Sequence, residues 1–243
     1  LRGEPGGDVL SDELISVLLK ALLVHGASWS DLQAVIDAAL TEADSGLARW
    51  NRVKRACAQF LGYGEADWVR GSVCTDQRVI MLGCGWLNIG EAHVYQVPLP
   101  PALSAQPVRR RMTISLAWLT PINTRHRFYR IADLWFDPPV DQLQLKRRDV
   151  DHNAVTRGTV QHEILEGDQA VPIAQGDTVP IQVNCRLGAG STLTASIPYG
   201  IAVTLETANS LGVSVYEQVK VALDGIREAA RVRPTVRTGR ANR

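Results

Sequence analysis

The residues that would announce a self-contained enzyme are missing. There is no G-x-S-x-G elbow, no H-E-x-x-H pattern and no glycine-rich phosphate loop: Gly62-x-Gly64 and Gly83-x-Gly85 each lack a third glycine and a strand-to-helix setting. Serine hydrolases with an elbow, zincins and phosphate-loop enzymes are therefore not expected. Cysteine is sparse: Cys57, Cys74, Cys84 and Cys185 stand 17, 10 and 101 residues apart, and none forms a C-x-x-C pair. Reduced thiols are expected, with a cytoplasmic location. No apolar run reaches the roughly eighteen residues of a membrane span, so no membrane partner is expected. Internal repeats are absent too.

What is present has the balance of an ordinary folded protein. Apolar residues make up 45% and charged residues 21% of 243, enough for a sizeable core without staples. The formal charge of +1 is misleading, because residues 227–243 hold six arginines against Glu228 and the remainder carries 20 basic and 24 acidic residues. A mildly acidic body argues against a broad nucleic-acid surface. The tail from Arg227 reads as disordered from its Pro, Gly and Arg content.

Helical spacing comes first along the chain. Ser11 or Asp12 caps a helix whose Leu14, Val17, Leu18, Ala21 and Leu22 share a face, and Gly26 suits a left-handed closing residue. A second helix begins near Asp31 with Leu32, Val35, Ile36, Ala39 and Leu40 inward. A third carries Leu47, Trp50, Val53, Cys57 and Phe60 and stops at Gly62-Tyr63-Gly64. From Arg78 the pattern changes to short β-rich runs: 78–82, 92–99, 111–118, 131–136, 155–165, 178–185 and 196–206, separated by turn formers. Many strands without intervening helices indicate an antiparallel sandwich. Residues 214–226 fit either a helix or a strand.

Three stretches, in this order, resemble the C-terminal part of a subtilisin-like serine peptidase with an appended jelly-roll-like domain. Glu13 to Ala27 is similar to the family's late helix, and Leu61-Gly62-Tyr63-Gly64 to its G-x-G turn. Met112 to Pro121, Ala132 to Phe136 and Ile197 to Leu205 are similar to its accessory strands. The resemblance implies an α+β fold: a helical segment over 1–76, the remnant of a subtilisin-like α/β core, then an antiparallel β-sandwich over 77–226 and a basic tail over 227–243. It also implies that the catalytic Asp, His and Ser lie upstream of Leu1. The chain opens without a methionine and is expected to be a fragment or partner subunit, its partner being the catalytic N-terminal part of the same protease. Alone, it should be inactive, because a hydroxyl needs a positioned imidazole to attack.

His25-Gly26-Ala27-Ser28 superficially resembles the family's His motif, but it reads as a helix C-terminus where a histidine favours the dipole. The family's paired acids at N-D-L-D-L are reduced here to Asp133, so no calcium site is expected, and no cofactor. The remaining constellations are generic. Ser191 or Ser196 with His93, His126, His152 or His162 form chance sets, and Cys84 sits between glycines as in a tight turn. His126, His152, His162, Asp149, Asp151 and Glu163 read as solvated side chains rather than metal ligands. The most distinctive exposed candidate is the basic loop Arg125, Arg127, Phe128, Tyr129 and Arg130, which could meet an acidic partner or a single strand through charge and stacking, or tuck its aromatics under the sandwich. A competing expectation is a stand-alone β-sandwich binding module for protein or glycan.

Overall fold

Eight of the ten strands among the described residues build a sandwich. The structure is a computed structural model describing residues 10–40, 46–127, 129–147, 158–188, 195–207, 212 and 214–232. The helices are α1 (Asp12–His25), α2 (Ser30–Ala39), α3 (Gly46–Leu61), α4 (Trp68–Ser72) and α5 (Val215–Val232). Strands β1 (Ala27–Ser28) and β2 (Glu65–Ala66) form a small antiparallel ribbon among the first four helices. The sandwich strands are β3 (Arg78–Leu87), β4 (Ala92–Pro98), β5 (Arg110–Trp118), β6 (Ala132–Phe136), β7 (Lys146–Arg147), β8 (Val160–Gly167), β9 (Thr178–Leu187) and β10 (Ile197–Thr207). One sheet runs β3-β10-β5-β8-β7 and the other β4-β9-β6, all antiparallel.

This order is that of a rolled ribbon. β3 pairs with β10, β4 with β9 and β5 with β8, so each inner pair nests within the one outside it. The pairs alternate between the two sheets, as in a jelly roll. The fold is thus α+β with an antiparallel sandwich, as expected.

Period-two alternation explains the core. Met112, Ile114, Leu116 and Trp118 point inward from β5, and Ile197, Tyr199, Ile201, Val203 and Leu205 from β10, meeting Leu134, Phe136, Ile181 and Val183 of the smaller sheet. Each buried aliphatic contributes about 1.5–3 kcal/mol. Opposite the β3 side, the Gln161 amide ties β8 to β6: its Nε2 donates to the Phe136 carbonyl at 2.9 Å and its Oε1 accepts from the Phe136 N–H at 3.0 Å.

The outward faces of β5 and β10 are also buried, which alternation alone does not explain. Their outward residues are small, among them Ser115 and Ala117 on β5 and Gly200, Ala202 and Thr204 on β10, and α1 lies across them. A Cβ at Gly200 would stand 2.8 Å from the Leu18 nitrogen, so the glycine sets the depth of the helix. Ser11 caps α1 through the Leu14 N–H at 3.4 Å. Gly26 is in the right-handed region, contrary to the left-handed role expected of it; its lack of a Cβ is required because one would fall 2.0 Å from the Asp67 carbonyl oxygen.

Other expectations are corrected. The resemblance implies that α1 is the remnant of an α/β core, whereas its buried face, Val17, Leu18, Ala21 and Leu22, is covered by this chain's own sheet. Of the expected inward face of α2, Ile36 and Leu40 pack half-buried against Trp29, Val53 and Cys57, whereas Leu32, Val35 and Ala39 are exposed. α3 buries Val53, Ala56 and Cys57, whereas Leu47 and Phe60 are exposed. Gly83-Cys84-Gly85 lies within β3 and is not a turn. A Cβ at Gly83 would clash with the Tyr95 ring at 2.4 Å, so these glycines make room for side chains crossing the sandwich. Residues from Val215 form α5, whose Val215 and Val219 plug the core; it runs to Val232, past the expected start of the tail at Arg227.

Candidate functional site

Beneath α1 lies a buried polar chain that the sequence reading did not identify. His162 Nε2 is 3.1 Å from the Ala27 carbonyl oxygen and its Nδ1 2.8 Å from Ser115 Oγ, which is 2.8 Å from His25 Nδ1; His25 Nε2 is 2.6 Å from Thr204 Oγ1. A carbonyl only accepts, so His162 Nε2 donates, leaving Nδ1 to accept from Ser115. Ser115 then accepts from His25 Nδ1–H, and His25 Nε2 accepts from the Thr204 hydroxyl. Every link is satisfied with both rings neutral. Burial pushes His25 down to about 3, helped by the neighbouring His162 and Arg111. Burial likewise pushes His162 down to about 4, with the Ala27 bond opposing and Arg111 assisting.

A Ser–His contact invites a catalytic reading, but Ser115 has no exposed surface and His25 and His162 only 2% and 4%. Substrate has no route to the hydroxyl. The chain instead clasps α1 to β5, β8 and β10. The expected imidazolium at the end of α1 is therefore corrected: His25 is neutral and bonded inward. His162 and Glu163, expected to be solvated, are buried on opposite faces of β8. Glu163 is held by Arg147, whose Nε donates at 2.9 Å.

Other sequence candidates do not assemble. His93 bonds through Nδ1 to the Tyr199 hydroxyl at 2.7 Å, and Tyr95 to the same hydroxyl at 2.6 Å. Cys84 is half-buried, and desolvation pushes its thiol up, so it is not an activated nucleophile and reacts as an ordinary thiol. Asp149, Asp151, His152 and Ser191 lie outside the described residues. Among the described residues no group of His, Cys, Asp and Glu could hold a metal ion.

The basic loop is a hairpin tip. Ile122 bridges Arg130, the Asn123 N–H donates to the Tyr129 carbonyl at 2.6 Å, and Asn123 Oδ1 accepts from the Arg125 N–H at 3.1 Å. Arg125, Arg127 and Tyr129 are exposed, with Ile122 and Leu119 beside them also exposed. Arg130 does not belong to that surface: it pairs with Asp133 at 3.1 Å and donates to the Gly158 carbonyl. Phe128 lies outside the described residues.

A second surface lies on the helices. Leu23 is 62% exposed, Leu47 75%, Phe60 81% and Trp68 59%. They sit on three helices, Leu23 on α1, Leu47 and Phe60 on α3 and Trp68 on α4, and exposed apolar residues taken singly are normal.

No protein-family model and no curated protein matches the sequence. Among solved structures, a chain of the cyanophage Pam1 capsid asymmetric unit is similar at 10% identity, over 53% of this chain and 84% of that one, with a TM-score of 0.30. A likeness that low carries no argument about fold or function. No helix among the described residues is long and apolar enough to cross a membrane.

Proposed function

We propose that this chain is the noncatalytic C-terminal portion of a subtilisin-like serine endopeptidase, in which the jelly roll carries the helical segment and the helices dock on the catalytic body. The exposed apolar surface of the helices carries this reading: α2 buries no residue, and Leu47 and Phe60 of α3 stand 75% and 81% exposed. α2 packs only Ile36 and Leu40 against Trp29, Val53 and Cys57, and a helix patterned for burial but covered on one edge alone fits a surface completed by another body. Since α1 is already seated on the sandwich, the role of this chain is a rigid support.

The chemistry is acyl transfer by a Ser-His-Asp set located on the catalytic body, with this chain supplying packing. The exposed Arg125, Arg127 and Tyr129 add a basic, aromatic contact for an acidic protein partner. Two experiments test the reading. The isolated chain is assayed on an unstructured protein substrate, where no turnover is expected and serine-inhibitor-sensitive cleavage contradicts it. The reading frame preceding Leu1 is also determined: Asp, His and Ser motifs in that order are expected, and an unrelated upstream sequence counts against a single-chain precursor.

A further inference from the structure

We propose that the free edge of β3 pairs antiparallel with β3 of a second copy, about a two-fold axis at Cys84. β3 is the end strand of its sheet. The Arg78 N–H and carbonyl both bond Thr75, and the Ile80 N–H meets Cys74 Sγ at 3.4 Å, so the even-numbered residues direct their backbone groups away from β10. The odd-numbered Gln77 carbonyl accepts from Thr207 at the end of β10, as this alternation requires. The register to β10 is unbroken from Arg78 to Leu87. Leu82, Cys84 and Trp86 therefore face the edge with three N–H and three carbonyl groups.

Those groups sit between two capped ends. Cys74 closes the edge at Ile80, and Glu91 closes it at Asn88, whose N–H donates to the carboxylate at 2.9 Å. Between the caps nothing among the described residues bonds the edge outside the sheet. Natural edges are protected by charge, proline or a bulge. From Val79 to Gly90 this one has none of them, and Leu82 and Trp86 are exposed.

Self-pairing fits the pattern. A two-fold axis at Cys84 sets Leu82 opposite Trp86 of the other copy and Ile80 opposite Asn88, and hydrogen-bonded pairs must join residues of the same parity, as these do. All six free backbone groups on each copy are then satisfied. At each end this register brings Glu91, beside Asn88, toward the other copy's Arg78, whose guanidinium also donates to the Val73 and Val69 carbonyls of its own chain. The contact is small, under about 1,200 Å² in all, the size of weak, transient associations.

Sedimentation equilibrium of the full chain, run from low to high micromolar concentration, tests this. The mass is expected to rise from 26.6 kDa toward double. Leu82→Lys, or Trp86→Lys should the first fail to fold, is expected to keep the circular dichroism of the sheet and remain monomeric. A short bismaleimide should link Cys84 to Cys84, since directly opposed Cα atoms lie about 5.5 Å apart. The link should vanish in Cys84→Ser and survive in Cys74→Ser. A chain that stays at 26.6 kDa throughout overturns the proposal. Doubling that is undiminished in the folded lysine variant, without the Cys84 link, overturns it as well and assigns association to another surface.

Discussion

Lowering the pH from 7.5 to 5 should weaken this fold through two side chains. His25 and His162 are neutral when folded, with pKa values near 3 and 4; in the unfolded chain each returns to about 6.5. Below that value the unfolded state binds protons that the folded state refuses, so stability falls as pH falls and levels off only below the folded values. At pH 5 each unfolded histidine is almost fully protonated, a loss of about 2 kcal/mol apiece or about 4 kcal/mol together. That sum hardly depends on the folded values, provided both lie well below 5. Against a typical total of about 5–15 kcal/mol the loss is large. Urea unfolding of the full chain, followed by circular dichroism at both pH values, measures it. Each of His25→Gln and His162→Gln should remove about half of the pH dependence while lowering stability at pH 7.5. Equal stability at pH 7.5 and 5 would refute the neutral buried pair, and so would an undiminished pH effect in the double variant.

Arg110 is fully buried, its guanidinium nitrogens lack hydrogen-bond partners, and desolvation lowers its pKa while Asp168 opposes. Arg110→Met should therefore stabilise the chain by about 1–3 kcal/mol, seen as a Tm increase; a lower Tm contradicts that picture of the site. Gly200→Ala should destabilise by about 1–3 kcal/mol, because the added methyl meets the backbone of Val17 and Leu18 within 2.9 Å; an unchanged urea midpoint would show that α1 is not seated there. Arg125→Glu with Arg127→Glu should leave stability within about 0.5 kcal/mol of the original and weaken retention on an acidic-peptide resin, since both side chains are exposed. Undiminished retention removes the hairpin tip as a partner contact.

The strands were legible because their signal is local. Alternation in Met112 to Trp118 and Ile197 to Leu205 survives any packing arrangement, and the observed strands begin and end close to those runs. Gly83-Cys84-Gly85 was misread because glycines mark turns when seen locally, whereas here they admit Tyr95 from the other sheet. The helical pattern of α2 is real, yet only Ile36 and Leu40 find cover, against Trp29, Val53 and Cys57; a pattern states which residues could be covered and not whether anything covers them. The histidine chain was hidden by distance, as His25 and Thr204 are 179 residues apart. One trace of it was available: the small and polar outward rows of β5 and β10 suit the close approach of a helix.

Capture from source lysate on the immobilised full chain, followed by fluorophosphonate labelling and peptide mass spectrometry, bears most directly on the claim that the helices dock on a catalytic body. A labelled serine hydrolase with subtilisin-like motifs should be retained by the natural chain and lost with Leu23→Asp and Phe60→Asp, which alter exposed positions. No labelled polypeptide, or equal retention by the variant, would contradict the account.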